Sequence, residues 1–245
     1  MRIEIQPLGD VAIRISFGIE ISENVHKKIQ RFVFTLKQEN IPGIVEWVPT
    51  YTSVAIYYRP EIISYSNLIQ EVERIYDSLA GSVRIEPITY RIPVYYGGET
   101  GPDLSFVAQY HQLSEQEVIE LHTKKEYLIH MIGFMPGFPY LGGLPAGLAV
   151  PRLEHPRPRV EPGSVGIGGN QTGIYPNEVP SGWRILGITP VKLFDFEKSE
   201  PFLFSAGNYI HFYSITLDEY QTIKRLVEEG KFQVETVKAG GARND

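Results

Sequence analysis

The sequence contains no cysteine. Disulfides, thiolate metal centres and a cysteine nucleophile are therefore excluded together, and the chain suits a reducing cytoplasm. Basic residues are also in deficit, with 23 Lys and Arg against 29 Asp and Glu, a formal net charge of −6. That balance does not favour broad contact with a phosphate backbone, so no nucleic-acid partner is expected. No apolar run approaches the roughly 20 residues that span a bilayer, so no membrane association is expected and the localisation reads as cytoplasmic. The opening stretch MRIEIQPLGDVAIRISF alternates polar and apolar residues and lacks an apolar h-region, which describes a strand and not a signal peptide.

Several chemical signatures are missing as well. The six histidines form no HxH or HExxH pair, so no metal site is expected. The glycine-rich GSVGIGG at 163–169 is followed by no lysine of the P-loop kind. Gln171 stands where a dinucleotide fingerprint needs its third glycine. The segment reads instead as strand, turn and strand, with glycines relieving crowding. Ser164 lies in no GxSxG elbow and reads as a turn serine bonded to backbone.

What is present is a clear rhythm. Val11, Ile13, Ile15 and Phe17 alternate as in a half-buried strand. Val25, Ile29, Phe32, Val33 and Leu36 follow at helical spacing over 22–39. IPGIVEWVPT and SVAIYY give two further strands. A second helix runs through Leu68, Val72, Ile75 and Leu79, with Gly81 at the capping position. These elements predict a small α+β sandwich, two helices on a mostly antiparallel sheet, over residues 1–84. Pro87 and Pro93 then mark a connector or an edge strand. A short helix is expected over DLSFVAQY, and the capping box Ser114–Glu117 opens another. From 126 to about 213 short strands alternate with Gly/Pro turns, the pattern of a β-barrel. The second domain, 85–238, closes on a helix behind the capping box Thr216–Glu219, with Tyr220, Ile223, Leu226 and Val227 inward. Residues 239–245 read as a mobile tail.

Three stretches carry candidate chemistry. GFMPGFPYLGGLP at 133–145 has stiff turns, aromatic side chains and no group that ionises near neutrality. It offers Phe134, Pro136, Phe138 and Tyr140 as an apolar wall or a partner surface. PRLEHPRPRVEPGSVG at 151–166 spaces Arg152, Arg157 and Arg159 with prolines, and arginine is the side chain suited to bidentate binding of carboxylate or phosphate. With Ser164, Gln171, Thr172, Tyr175 and Trp183 these arginines form a candidate anion cleft. His130, just before the first stretch and in strand alternation with Leu128 and Ile132, is a candidate general acid or base. Arg157 and Arg159 join it as catalytic candidates.

Taken together, GFMPGFPYLGGLP, PRPRVEPGSVGIGGNQTGIYP and PSGWRILGITP resemble the signature of the allophanate-hydrolase-subunit-1 family. That family includes the B subunit of prokaryotic 5-oxoprolinase and the KipI-type inhibitors of sporulation histidine kinases. The resemblance covers nearly the whole chain, although Ile188 stands where the family has an arginine. It implies a cyclophilin-like barrel for the second domain. It also implies one component, inactive alone, of an ATP-dependent 5-oxoprolinase that opens 5-oxo-L-proline to L-glutamate. The implied partners are the A subunit of that enzyme and its KipA-type C subunit, with ATP bound by the complex and not by a motif in this chain. A further implied partner is a KinA-type sporulation sensor histidine kinase, whose autophosphorylation the chain inhibits and the KipA-type protein restores. Related domains in urea carboxylase transfer a carboxyl group with biotin.

Overall fold

The computed structural model describes residues 3–79 and 86–238. The expected cap at Gly81 and the tail 239–245 lie outside the described residues. Contacts divide the chain into two compact units, Met1–Ile85 and Glu86–Asp245.

In the first unit β1 (Glu4–Pro7), β2 (Ala12–Ser16), β3 (Ile44–Pro49) and β4 (Ser53–Tyr58) form one antiparallel sheet in the order β1-β2-β4-β3. The helices α1 (Glu23–Glu39) and α2 (Tyr65–Ser78) supply the other half of its core. Alternation sends Ile13, Ile15, Val54 and Ile56 to the buried face, where they meet Ile29, Phe32 and Leu36 of α1 and Leu68, Val72 and Ile75 of α2. Ser22 and Ser64 cap the two helices by accepting from the backbone N–H three residues on. The first unit is thus the small α+β sandwich that the periodicity predicts.

In the second unit seven strands close into a barrel. They are β5 (Ile88–Tyr96), β6 (Glu126–Ile132), β7 (Pro139–Gly142), β9 (Ser164–Gly168), β10 (Gln171–Ile174), β12 (Arg184–Ile188) and β13 (Tyr209–Ser214). The order is β12-β9-β10-β7-β6-β13-β5, and β5 pairs back onto β12. Two strands, β8 (Arg157–Val160) and β11 (Val179–Ser181), form a separate ribbon. Helices α3 (Leu104–His111) and α4 (Glu115–Thr123) contribute Leu104, Val107 and Val118 to the barrel core, which also holds Ile92, Tyr127, Ile129, Val165, Ile167 and Phe212. The helix α5 (Leu217–Glu228) turns Tyr220, Ile223, Leu226 and Val227 inward as expected, though each is only half-buried. The strand β14 (Thr236–Lys238) adds to β5.

One expectation fails here. Pro93 lies inside β5, which has neighbours along both edges and is neither an edge strand nor a connector. The ladder has room for it. Arg91 donates its backbone N–H toward Glu235, and by alternation the missing N–H of Pro93 faces the same side. That side is open between the β14 pairing, which ends at Tyr90, and the β12 pairing, which begins at Tyr95. No ladder bond is lost.

Candidate functional site

The glycines of GSVGIGG and QTG have a packing role. β9 and β10 form a hairpin whose two-residue turn starts at Gly169, φ 64°, the position a type II′ turn reserves for glycine. Val165, Ile167 and Ile174 point into the barrel core, and Gly168 and Gly173 lie on the opposite face. A Cβ at Gly168 would meet the Trp183 indole at 2.5 Å, and one at Gly173 would meet Phe138 at 3.1 Å and Trp183 at 3.3 Å. The hairpin is therefore a bare floor on which two aromatic rings lie. Gly166, Gly168 and Gly173 are covered by backbone, indole and phenyl and do not fit a phosphate cradle, so no ATP site is derived from them.

On that floor sits a second, smaller core of Phe138, Val160, Tyr175, Trp183 and Ile185. Phe138 makes edge-to-face contacts with Phe134, Tyr140, Tyr175 and Trp183, at centroid distances of 5.2 to 6.0 Å. The Tyr175 hydroxyl and Ser181 Oγ are 2.7 Å apart, and Ser181 Oγ also accepts the Trp183 N–H at 3.0 Å. Burial raises the Tyr175 pKa, so its hydroxyl stays protonated at neutral pH. Beside these rings opens a cleft of about 270 Å³ lined by Phe134, Phe138, Tyr140, Arg152, Gln171, Tyr175, Pro180, Ser181, Gly182 and Trp183. The Arg152 guanidinium lies 5.8 Å over the Trp183 ring.

The loop GFMPGF reaches the cleft through two tight turns. Met135 N donates to Gly133 O at 2.8 Å, a γ-turn around Phe134 at φ 66°. Phe138 N donates to Met135 O, with Pro136 and Gly137 (φ 86°) in the central places of a type II turn. A positive φ at a bulky residue is strained, and such strain concentrates at ligand clamps and switch regions. The turn leaves Phe134 70% exposed at the cleft rim.

The structure thus brings together Phe134, Phe138, Tyr140, Arg152, Gln171, Tyr175 and Trp183 from segments far apart in sequence. The other candidates lie elsewhere. Phe138 itself is 3% exposed, so it is a core ring and presents no partner surface. Thr172 follows Gln171 in β10, and adjacent strand residues face opposite ways. Its side chain points inward and bonds His122. Ser164 is buried at the start of β9, and Pro136 lines a different, open groove along residues 132–136, 199–202, 204 and 205. His130 falls at a bulge in the β6–β7 ladder, between Ile129 and Met131; its side chain keeps to the Leu128 face as expected, while the bulge turns Ile132 to the opposite, core face. Its ring packs over Gly142, whose Cβ it would overlap, and burial lowers its pKa. It does not line the cleft.

Nor do Arg157 and Arg159 line it, because carboxylates claim them. Arg157 forks onto Asp103, with Nη1 2.8 Å from Oδ2 and Nη2 2.9 Å from Oδ1. Arg159 pairs with Glu161 at 3.1 Å and Glu178 at 2.9 Å on the surface. Two residues that no sequence pattern singles out organise this region. Asp103 also accepts from Ile185 N at 2.7 Å, returns its own N–H to Ile185 O, and lies 3.5 Å from Arg184. Arg184 in turn stacks on Phe106 at 3.7 Å. Asp103 thereby clamps residues 183–185, the segment that carries the Trp183 wall.

His122 does the same for β10. Thr172 Oγ1 gives its single proton to Gly166 O, so it accepts from His122 Nε2 at 2.9 Å. The neutral imidazole therefore carries its proton on Nε2, and Nδ1 accepts from the Tyr96 hydroxyl at 2.7 Å. The ring stacks on Phe212 at 4.8 Å, and burial drives its pKa down to about 3.

Residues 3–204 match the carboxyltransferase domain, subdomain C and D. The chain belongs to that family. A curated relative, the 5-oxoprolinase B subunit of Bacillus subtilis (strain 168), is 39% identical over 234 residues, covering 91% of this chain and 98% of the relative. The crystal structure of TTHA0988 matches with a TM-score of 0.74 at 33% identity. It covers 84% of this chain, which spans only 40% of the TTHA0988 chain. Kluyveromyces lactis urea carboxylase shares the fold, with a TM-score of 0.77 at 19% identity, over 97% of this chain and 24% of that one. The matched proteins thus include both a chain of this length and segments of longer ones. Among the described residues no helix is long and apolar enough to cross a membrane.

Proposed function

We propose that this chain is the B subunit of an ATP-dependent 5-oxoprolinase, which opens the lactam of 5-oxo-L-proline to L-glutamate. It acts in the cytoplasm with two partner proteins, the A subunit and the KipA-type C subunit, and is inactive alone. The observation that carries the reading is the cleft itself. A guanidinium 5.8 Å over an indole, at the rim of a cleft lined by rings, is a site for a small anion with an apolar body. Similarity to proteins named as the B subunit of 5-oxoprolinase supports the same assignment. The work of this chain is to bind and orient, and ATP belongs to the complex as a whole. Mixing the three purified proteins with 5-oxoproline and ATP tests the reading. Glutamate is expected from the full mixture and only background from the mixture without this chain; equal release in both contradicts it.

A second, regulatory reading is favoured by one observation. Phe134 and Phe202 stay exposed along an open groove of about 850 Å³ lined by residues 132–136, 199–202, 204 and 205. Exposed aromatics on tight turns bind protein surfaces with little loss of entropy. A sporulation sensor histidine kinase is the proposed target. Its autophosphorylation from labelled ATP is expected to fall when this chain is added and to recover with the KipA-type protein. Unchanged labelling at saturating protein ends this reading.

A further inference from the structure

We infer that the cleft selects a small ring amide carrying one carboxylate, the class to which 5-oxoproline belongs, and rejects the ring-opened amino acid. The inference rests on the proposed 5-oxoprolinase reading and assigns to this chain the recognition of the substrate ring. It is carried by charge, size and shape.

Arg152 supplies the one ionised side chain in the cleft lining, which includes no carboxylate. The neighbouring Arg157 and Arg159 are neutralised by Asp103, Glu161 and Glu178. Among the described residues Arg152 pairs with no carboxylate. A ligand with one negative charge completes the site through a charge-assisted, bidentate contact.

A ligand that also carries an ammonium meets no acidic partner there. Aromatic cages elsewhere hold cations, but here the Arg152 guanidinium already lies 5.8 Å over the Trp183 ring. Like charge opposes a second cation beside it. A lactam nitrogen is an amide and carries no charge. Ring opening turns it into an ammonium and creates a second carboxylate, so both new charges lack partners in the cleft. The same feature that admits the substrate therefore favours release of the product.

Size and shape agree. A volume of about 270 Å³ is at the lower limit for ligand pockets, too small for a nucleotide and suited to one compact ring. The walls are ring faces and edges from Phe138, Tyr175 and Trp183, locked against one another and onto the glycine floor. A flat ring can lie against such walls without moving them, with its carboxylate directed to Arg152 at the exposed rim.

The test is ligand-observed NMR on the full chain, with the emission of Trp183 in a Trp47→Phe background as a second readout. Trp47 and Trp183 are the two tryptophans, so that background leaves one reporter at the cleft. The probes are 5-oxo-L-proline, 2-pyrrolidone, which lacks the carboxylate, and the zwitterions L-proline and L-glutamate. 5-Oxoproline is expected to bind about 10-fold or more tightly than the other three. Arg152→Gln is expected to lower it to the level of 2-pyrrolidone. Lys231→Gln, which makes the same change of charge at an exposed pair with Glu229, is expected to leave binding unchanged. Equal binding of pyrrolidone, proline or glutamate overturns the inference, as do an unaffected Arg152→Gln chain, an equal loss in Lys231→Gln, or no binding at all. If the three-protein mixture makes glutamate while this chain fails to bind the ring, the inference falls and the complex-level reading stands. If the ring binds but no mixture turns over, the reverse holds.

Discussion

Replacing Asp103 with alanine is expected to destabilise the barrel unit by about 3 kcal/mol, although Asp103 does not line the cleft. The Asp103 side chain is almost wholly buried, and it holds Arg157 by two bonds, Ile185 N by one and Arg184 at longer range. Removing the carboxylate strands two guanidinium groups beside an apolar wall. Breaking such a buried pair costs roughly 3–5 kcal/mol, and the lower value applies because the Arg157 side chain keeps 30% exposure to solvent. Urea unfolding followed by Trp183 emission in the Trp47→Phe background measures the loss. Asp103→Asn, which keeps the shape and one acceptor for Ile185 N, is expected to lose clearly less. An Asp103→Ala midpoint within error of the parent contradicts the clamp.

Acid should weaken the same unit through His122. The sign follows from the two proton affinities. The unfolded chain takes up a proton on this imidazole near pH 6.5, while the folded chain resists until about 3. Stability therefore falls as the pH drops below about 6.5, by up to about 1.4 kcal/mol per unit, and levels off only below 3. Between pH 7 and 5 the contribution is about 2 kcal/mol. The facing groups are the Tyr96 and Tyr127 hydroxyls and Thr172. Burial raises the pKa of both tyrosines, so neither ionises in this range. His122→Gln keeps a donor and an acceptor but does not titrate. Its loss of stability between pH 7 and 5 is expected to be smaller than that of the parent by about 2 kcal/mol, measured from urea midpoints at each pH. The buried His130, whose pKa is also lowered, contributes equally to both chains. Parallel pH profiles contradict a neutral, buried His122.

These residues show what the sequence could and could not convey. The sandwich helices and strands announced themselves because their period places apolar groups on one face, as with Ile29, Phe32 and Leu36. Capping boxes at Ser114 and Thr216 fixed two helix starts for the same local reason. The cleft was legible in its aromatic and glycine content, and Arg152, Gln171, Tyr175 and Trp183 do meet there. The long-range choices were not legible. Three arginines within eight positions looked alike, yet Arg157 is taken by an aspartate 54 residues away. Asp103 sits in GETGPDL with nothing local to mark it, and its backbone partner is 82 residues distant. Alternation alone separates Gln171 from Thr172, but a bulge at His130 breaks the same rule. Pro93 argued for an edge because propensity carries no information about a gap between two neighbouring strands.

The proposed role of this chain is to bring the lactam, through Arg152, to a complex that opens it. Glutamate release by the two partner proteins supplied with either the parent chain or Arg152→Gln tests it most directly. Release is expected with the parent, and a loss of about 10-fold or more in kcat/KM with the variant. Equal release with both chains, or with neither chain present, would contradict it.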